Sequence, residues 1–264
     1  MHNPVREKML RGEKTLGTFM ELGSATAAES LALSGLDFVI IDTEHGAYDP
    51  LSALDYIRAA KLYGTTPFAR VQEISRPAIL KLLDAGAMGL IIPCVNTVEE
   101  AKAIVEYGKY LPLGQRGVAA SAGTAFWQED YAQHGLPAYF ETSNRETLLF
   151  PQCETLGCLE HLEEIAALPG IDGIFVGPFD LSTAMGIPGE FDRPEFQETL
   201  RHIQAVCRAA GKPSMIFAGS VEAARADFAM GYDSVAYSMD ASLLIEACRG
   251  VRAAVLDGER KGYT

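Results

Sequence analysis

Short apolar segments alternate along this chain with longer amphipathic segments. The apolar segments lie at 16–21, 36–42, 66–71, 88–93, 147–153, 173–176, 213–217 and 234–237. The amphipathic segments lie at 25–34, 51–63, 76–85, 98–107, 159–167, 195–210, 221–230 and 241–256. Near-continuous apolar strands that alternate with helices are typical of a parallel sheet covered on both faces. Eight such pairs predict an α/β fold, a (β/α)8 TIM barrel formed by a single domain over 1–264.

The length of the chain agrees with a barrel. It has 264 residues, and one α/β barrel needs roughly 250. A doubly wound open sheet is the alternative. However, no G-x-G-x-x-G motif follows the first predicted strand, which argues against an open sheet that binds a dinucleotide.

The amino-acid composition argues against two classes of binding partner and indicates the cellular compartment. The formal net charge is −13, which argues against binding of nucleic acid or of an anionic membrane surface, because both need a basic patch. The five cysteines are scattered and form no C-x-x-C motif. We therefore expect reduced thiols in a cytoplasmic protein. No apolar run approaches the roughly 20 residues that a membrane span needs.

One long segment interrupts the alternation. Residues 111–145 lie between the fourth and fifth predicted strands and contain the single tryptophan. Long structureless loops in compact domains are usually functional, so we expect an active-site loop here. A disordered excursion is the alternative.

The second predicted strand ends in a cluster of ionisable residues. Asp42, Glu44 and His45 follow it within four residues, and barrel enzymes carry their catalytic groups at the carboxyl ends of strands. We interpret His45 as a general base. A carboxylate on its second ring nitrogen would fix the tautomer, and Asp42 or Asp84 could supply it. A structural histidine is the alternative.

Two carboxylates follow the fifth and sixth strands. Glu154 and Asp180 are accompanied by no histidine or cysteine at matching positions, which favours Mg²⁺ or Mn²⁺ over Zn²⁺. The alternatives are that Asp180 caps a short helix at 181–185 and that Glu154 is a surface residue.

Arg70 ends the third strand and could bind a carboxylate or stabilise an enolate. The alternative is a structural ion pair with a carboxylate such as Glu44. The sequence Gly177-Pro178-Phe179-Asp180 opens a helix, so the backbone N–H of Phe179 could receive an anion.

Other chemistry finds less support. None of the eight lysines ends a strand at the active face, which argues against a Schiff-base aldolase. Cys94 and Cys153 have no obvious histidine partner, and we interpret both as small buried hydrophobic residues.

These residues resemble the class II pyruvate aldolases of the HpcH/HpaI family, a family with phosphoenolpyruvate/pyruvate-type barrels. The matching stretches are GLDFVIIDTEHGAYD, PFARV, KLLDAGAMGLIIPCVNTVEEA, GQRGVA, PQCET and GIDGIFVGPFDLSTAMG, which fall within residues 16–240.

The resemblance implies a metal-dependent aldolase that reversibly cleaves 4-hydroxy-2-oxo acids to pyruvate, or a related 2-oxo acid, and an aldehyde. It implies a divalent ion (Mg²⁺, Mn²⁺ or Co²⁺) on Glu154 and Asp180, with Gln152 and the Phe179 amide contacting substrate. Arg70 would stabilise the enolate, and His45 would act as base through a water molecule, supported by Asp42 and Asp84. A homohexamer, built as a trimer of dimers with a C-terminal helix exchanged between neighbours, is also implied.

The chain departs from the family pattern near the substrate. It has Gln152-Cys153-Glu154 where Gln-Val-Glu is expected, and Phe179 where alanine is expected. The last strand ends in YSMD instead of Gly-Ser-Asp, and residues 119–128 only partly follow an Arg- and Ser-rich run. These differences leave the predicted metal ligands and the predicted base in place. They affect the part of the prediction that concerns the aldehyde and the preferred 2-oxo acid.

Three other functions remain open. An oxaloacetate decarboxylase would pass through the same enolate. A malyl- or citramalyl-thioester lyase would need a basic patch for the coenzyme's phosphates. A non-catalytic 2-oxo-acid-binding protein would bind its ligand without exchanging the ligand's methyl protons.

Overall fold

Eight parallel strands close into a barrel in a computed structural model that describes residues 1–257. They are β1 Thr15–Met20, β2 Phe38–Asp42, β3 Thr66–Arg70, β4 Gly89–Ile92, β5 Leu148–Cys153, β6 Ile174–Val176, β7 Ser214–Ala218 and β8 Ser234–Met239. Each strand pairs with its neighbours in chain order, and β8 pairs with β1. The (β/α)8 barrel predicted from the sequence is confirmed, with strand ends that shift by no more than two residues.

Helices surround the barrel. They are α1 Pro4–Leu10, α2 Ala25–Leu33, α3 Pro50–Lys61, α4 Arg76–Ala85, α5 Val98–Gly108, α6 Asp130–Gln133, α7 Leu136–Glu146, α8 Leu156–Glu160, α9 Leu162–Ala167, α10 Pro178–Ala184, α11 Pro194–Ala209, α12 Val221–Met230 and α13 Asp240–Arg252. A 3₁₀ helix spans Ala122–Trp127, and a π-helical turn spans Ala253–Asp257. Across residues 1–257, no helix combines the length and the apolar character needed to cross a membrane.

The barrel interior is packed by aromatic rings that lie against glycines. Phe38 and Phe68 stack with their centroids 5.3 Å apart. A Cβ atom on Gly89 would lie 2.7 Å from the Phe68 ring, and a Cβ on Gly17 would overlap the ring of Phe38. The absence of a side chain at these two positions therefore makes room for the rings. The resulting core is closely packed and fixes the spacing of the strands.

Helix α1, which the hydrophobic pattern does not predict, covers the amino end of the barrel. Val5 is fully buried in the same cluster as the interior phenylalanines. Asn3 caps α1 by accepting the Arg6 N–H, and its side-chain amide donates to the carbonyl oxygens of Met88 at 3.1 Å and Glu146 at 2.9 Å. This short helix is thus tied to the segments that precede β4 and β5.

Segment 111–145 differs from the structureless active-site loop expected from the sequence. It contains the 3₁₀ helix, α6 and α7. Its middle part, with Gly123 and Thr124, lines a cavity of about 400 Å³ together with Thr66 and Met88, which stand at the start of β3 and just before β4. Within this chain the segment therefore packs at the amino end of the barrel. The glycine- and alanine-rich composition suggested a loop, but the apolar face of α7, with Tyr139 buried, gives it helical structure.

The contacts of Asn3 predict a measurable contribution to stability. Replacing it by alanine (Asn3→Ala) removes a helix cap and two buried hydrogen bonds, and we expect the free energy of unfolding to fall by about 1–3 kcal/mol. Urea denaturation would measure this. The neighbouring His2→Ala variant is the control, because the His2 side chain is 66% exposed and its loss should change stability by less than about 0.5 kcal/mol. Equal stability of the two variants would contradict the role assigned to α1.

Candidate active site

A cavity of about 460 Å³ opens at the carboxyl ends of the strands. Its lining comes from every strand except β4 and from the segments that follow β1, β2 and β6: Phe19, Glu21, Asp42, His45, Arg70, Gln152, Phe175, Gly177, Pro178, Phe179, Asp180, Phe217 and Met239. The closure of the barrel brings these residues together although they are distant in sequence. The position agrees with the end of the barrel at which enzymes of this fold carry their active sites.

Arg70 lies at the centre of an ion-pair network. Its Nε and terminal nitrogen donate to the two carboxylate oxygens of Asp42 at 2.9 and 2.5 Å, and its second terminal nitrogen lies 3.1 Å from Glu44. Burial acts to raise the pKa of Asp42, but the Arg70 guanidinium lowers it below the usual value. Arg70 and Glu44 therefore form the ion pair that is the alternative interpretation of Arg70 from the sequence. Arg70 also faces the cavity, so the two interpretations are compatible.

His45 is exposed at the rim and lines the cavity. The hydrogen bonds that the structure shows from this loop to Asp42 are made by backbone N–H groups, those of Glu44 at 3.1 Å and His45 at 3.4 Å. Asp42 thus orients the loop that carries His45, while its carboxylate is bound by Arg70. The expected contact between Asp42 and the imidazole is replaced by this arrangement.

Asp84 lies at the opposite end of the barrel from His45. It stands in the last turn of α4, which runs antiparallel to the strands and ends just before β4. Its carboxylate accepts a hydrogen bond from Arg116 at 2.8 Å. The expectation that Asp84 reaches His45 across the rim is therefore wrong within one chain, because the direction of α4 places its C-terminal end near the amino ends of the strands.

Glu154 is buried beside two residues of the cavity lining, Gln152 and Gly177, with a relative exposure of 6%. The backbone N–H of Cys94 donates to one carboxylate oxygen at 2.7 Å, and the side-chain amide of Gln152 donates to the other. Burial, and then the nearby charges of Asp180 and Glu44, raise the pKa of Glu154. The alternative of a surface residue is wrong. Glu154 is a desolvated carboxylate whose two hydrogen bonds come from neutral donors.

Cys94 adopts a left-handed conformation with φ 57°, which is strained for a residue with a side chain. This conformation directs its N–H to Glu154. The thiol of Cys94 is exposed, so the prediction of a buried residue is wrong there. For Cys153, which is fully buried, the same prediction is confirmed.

The segment after β6 brings Asp180 to the cavity. Helix α10 begins at Pro178 with Gly177 as N-cap, so Asp180 lies in the first turn and does not cap the helix, contrary to the alternative. A Cβ atom on Gly177 would lie 2.7 Å from Gln152 Nε2 and 2.8 Å from Glu154 Oε2. Glycine is therefore needed for the close approach of this backbone to the Glu154 carboxylate.

The donor set fits a hard divalent cation. Glu154 and Asp180 contribute two carboxylates, and the Oε1 atom of Gln152 is buried without a hydrogen-bond partner in the described structure. Among residues 1–257, no three or more His, Cys, Asp or Glu side chains form a metal-binding group. Ions such as Mg²⁺ commonly bind one or two carboxylates and complete their shell with water and substrate, so this result does not conflict with two protein ligands.

Two further acidic residues, Asp240 and Glu21, belong to this region, although the sequence motifs do not mark them as site residues. Asp240, buried at the start of α13, accepts the backbone N–H of Glu21 at 2.7 Å and of Leu22 at 3.1 Å. Glu21 itself lines the cavity, and burial together with its contact with Asp42 raises the pKa of Glu21 to about 7. The position of each at the end of a strand is the indication that the sequence offers, but the contacts depend on the pairing of β1 with β8 for Asp240 and of β1 with β2 for Asp42.

Comparisons with known proteins agree with the geometry. The model of the HpcH/HpaI aldolase/citrate lyase family matches residues 15–247. The 2-keto-3-deoxy-L-rhamnonate aldolase of Escherichia coli (strain K12) is 35% identical over 248 residues, which are 94% of this chain and 91% of that enzyme.

Solved structures give the same result. An HpcH/HpaI aldolase/citrate lyase family protein from Burkholderia cenocepacia J2315 superposes with a TM-score of 0.88 and 31% identity, covering 96% of this chain and 99% of the other. The HpcH/HpaI aldolase from Desulfitobacterium hafniense DCB-2 has a TM-score of 0.84 and 29% identity, covering 94% and 95%. In sequence and in fold, the chain belongs to the HpcH/HpaI aldolase/citrate lyase family.

Proposed function

We propose that the protein is a metal-dependent aldehyde-lyase that reversibly cleaves 4-hydroxy-2-oxo acids to pyruvate, or a related 2-oxo acid, and an aldehyde. The observation that carries this proposal is the environment of Glu154. This buried carboxylate lies directly beside the cavity-lining residues Gln152 and Gly177 and near Asp180, and among the described residues its hydrogen bonds come from neutral donors. Such a group is stabilised by a cation. The aldolase from Escherichia coli, 35% identical to this chain, supports the choice of reaction.

Glu154 and Asp180 would hold the divalent ion, which we take to be Mg²⁺, Mn²⁺ or Co²⁺. When bound, it would withdraw electrons from the keto oxygen of the substrate and make the adjacent carbon acidic. The Gln152 Nε2 atom and the Cys94 N–H orient the Glu154 carboxylate by their hydrogen bonds. They leave the Gln152 Oε1 atom free to accept a hydrogen bond in the cavity.

The substrate carboxylate would lie near the first turn of α10. Phe179 is the second residue of this helix, and N–H groups in a first turn have no acceptor within their own helix. The Phe179 N–H can therefore donate to an anionic oxygen. Arg70 supplies a fixed positive charge on the same cavity wall and would stabilise the negative charge that develops on the enolate.

His45 would carry the proton transfers. In the cleavage direction a base removes the proton of the C4 hydroxyl group, the C3–C4 bond breaks, and its electron pair forms the enolate of pyruvate. Return of a proton to C3 completes pyruvate. The position of His45 at the cavity rim supports this role, in which its imidazole would act through a water molecule.

Decarboxylation of oxaloacetate would form the same enolate and is compatible with this site as a side activity. A thioester lyase is less well supported, since the cavity lining contains a single arginine and no lysine among the described residues, whereas coenzyme phosphates need several cations.

We further propose that α13 mediates assembly, as in a hexamer built as a trimer of dimers. Five apolar side chains of α13 and of the π-helical turn that follows it are exposed: Leu244, Ile245, Val251, Val255 and Leu256. Apolar residues exposed at this density along one segment usually mark a protein interface.

The donor half of the reaction can be tested without knowledge of the aldehyde. The wild-type protein, stripped with chelator and then given Mg²⁺, Mn²⁺ or Co²⁺, should exchange the methyl protons of pyruvate in heavy water, as followed by NMR. His45→Ala and Glu154→Ala should each slow exchange by about 100-fold or more, because they remove the base and a metal ligand. His161→Ala, a partly exposed histidine away from the cavity, is the matched control and should retain the wild-type rate. Exchange that persists in both site variants would refute the assignment.

The pH dependence of substrate binding should reflect Glu21. Because its pKa is raised to about 7, Glu21 is largely neutral at pH 6 and largely ionised at pH 8. Ionisation adds a negative charge beside Asp42, Asp240 and the anionic substrate. The positive charge of Arg70 offsets part of the resulting repulsion. We expect the KM for pyruvate-dependent aldol addition to rise roughly fivefold over this interval, from a repulsion on the order of 1 kcal/mol.

Steady-state kinetics of Glu21→Gln should show a flatter KM profile, while Glu73→Gln, an exposed residue with the same change in charge, should keep the wild-type profile. The same rise in Glu21→Gln as in the wild type would show that another group titrates.

A further inference from the structure

Four phenylalanine rings line one part of the cavity, which we call the aromatic wall, whereas charged side chains such as Arg70 and Asp180 line another part. Phe217 connects two rings of this wall, with its centroid 5.9 Å from Phe19 and 5.9 Å from Phe179, at interplanar angles of 61° and 63°. Phe175 continues the wall, 6.1 Å from Phe19. All four rings line the cavity. Edge-to-face contacts of this kind hold the rings in defined orientations.

Phe179 is the outermost ring of the wall and remains 53% exposed. Its other neighbour is Phe191, whose centroid lies 5.0 Å away at 83°. The ring is therefore held between Phe217 and Phe191 while one side stays open. Met239, also partly exposed, lies on the same cavity lining. A large apolar surface of fixed shape, open toward a cavity, is favourable for binding an apolar group.

The charges of the cavity select against an anionic group beside this wall. Arg70 is the cation of the lining, and it is already bound by Asp42 and Glu44. Glu21 adds a carboxyl group near Asp42. A second anion, besides the carboxylate of the 2-oxo acid, would therefore meet acidic side chains, and the part of the lining described over residues 1–257 offers no free cation to offset them.

We propose that the aldehyde partner of this site is uncharged and aromatic, with its ring bound against Phe217 and Phe179. This inference rests on the proposed function and specifies its second substrate. In the addition direction, C3 of the pyruvate enolate forms a bond to the aldehyde carbon, and the aldehyde oxygen takes up a proton. The product is a 4-aryl-4-hydroxy-2-oxo acid, and no oxidant or reductant is needed.

The order of acceptors tests the proposal in the unmodified protein. With Mg²⁺ or Mn²⁺ and saturating pyruvate, kcat/KM is measured for benzaldehyde, for glycolaldehyde, which is small and polar, and for succinic semialdehyde, which is anionic. We expect benzaldehyde to exceed each of the others by about tenfold or more, the scale of one apolar group in a fitted pocket. A preference for glycolaldehyde or succinic semialdehyde would overturn the proposal.

Two variants locate the ring. Phe217→Ala should lower kcat/KM for benzaldehyde by about tenfold relative to glycolaldehyde, since it removes an aromatic contact and the apolar surface around it. Phe217→Leu keeps an apolar side chain and should cause a smaller loss. The matched control is Phe126→Ala, whose exposed ring belongs to the 3₁₀ helix in segment 111–145, and it should leave the order of acceptors unchanged.

Proton exchange of pyruvate separates this inference from the proposed function. Wild-type exchange together with a preference for a polar or anionic acceptor would overturn only the aromatic partner. Absence of exchange with all three metals would overturn both. Equal losses for benzaldehyde and glycolaldehyde in Phe217→Ala, in a protein with wild-type circular dichroism, would also count against a ring bound at this wall.

Discussion

Closure of the eight-stranded parallel sheet is the constraint on which the rest of the structure depends. All eight strands are parallel and therefore end at the same edge of the sheet, and the pairing of β8 with β1 closes this edge into a ring around one cavity. The closure is held from within by rings such as Phe38 and Phe68, for which Gly17 and Gly89 leave room. A larger residue at either glycine would displace a ring and, with it, the spacing of the strands. The geometry of the rim is thus determined by packing inside the barrel.

At that rim the protein concentrates negative charge. Asp42 and Glu44 are offset by Arg70, and Asp240 is satisfied by two backbone N–H groups. Glu154 differs from Asp42 and Glu44 because its hydrogen-bond donors in the described structure include no cation, and from Asp240 because a second carboxylate, Asp180, lies near it and helps to raise its pKa. This difference separates carboxylates that organise the structure from one that is suited to hold a cation. It also explains why an acidic chain can act on an anionic substrate: the positive charge is local.

The cavity therefore has two chemically distinct halves. One is lined by Asp180, Arg70 and Gln152, with the buried Glu154 bound to the Gln152 amide directly behind it, and these groups suit a small anion that chelates a metal. The other is formed by phenylalanine rings in mutual edge contact. Reactions that join two substrates need such a division, because each partner must be held in its own orientation. In the proposed reaction the ionic half would form the enolate, and the aromatic half would select the aldehyde.

The sequence by itself determined the barrel, the boundaries of its strands and the residues at their ends, because alternation of apolar strands and amphipathic helices is a local pattern. It also identified the family through motifs around His45, Arg70, Glu154 and Asp180. Only the tertiary structure decided which of these groups meet. Because α4 runs antiparallel to the strands, Asp84 lies at the opposite end of the barrel from His45. Because β2 pairs with β3, the Asp42 carboxylate accepts hydrogen bonds from Arg70. Helix α1, the course of segment 111–145 and the contact of Glu21 with Asp42 likewise depend on packing between distant segments, which no local pattern encodes.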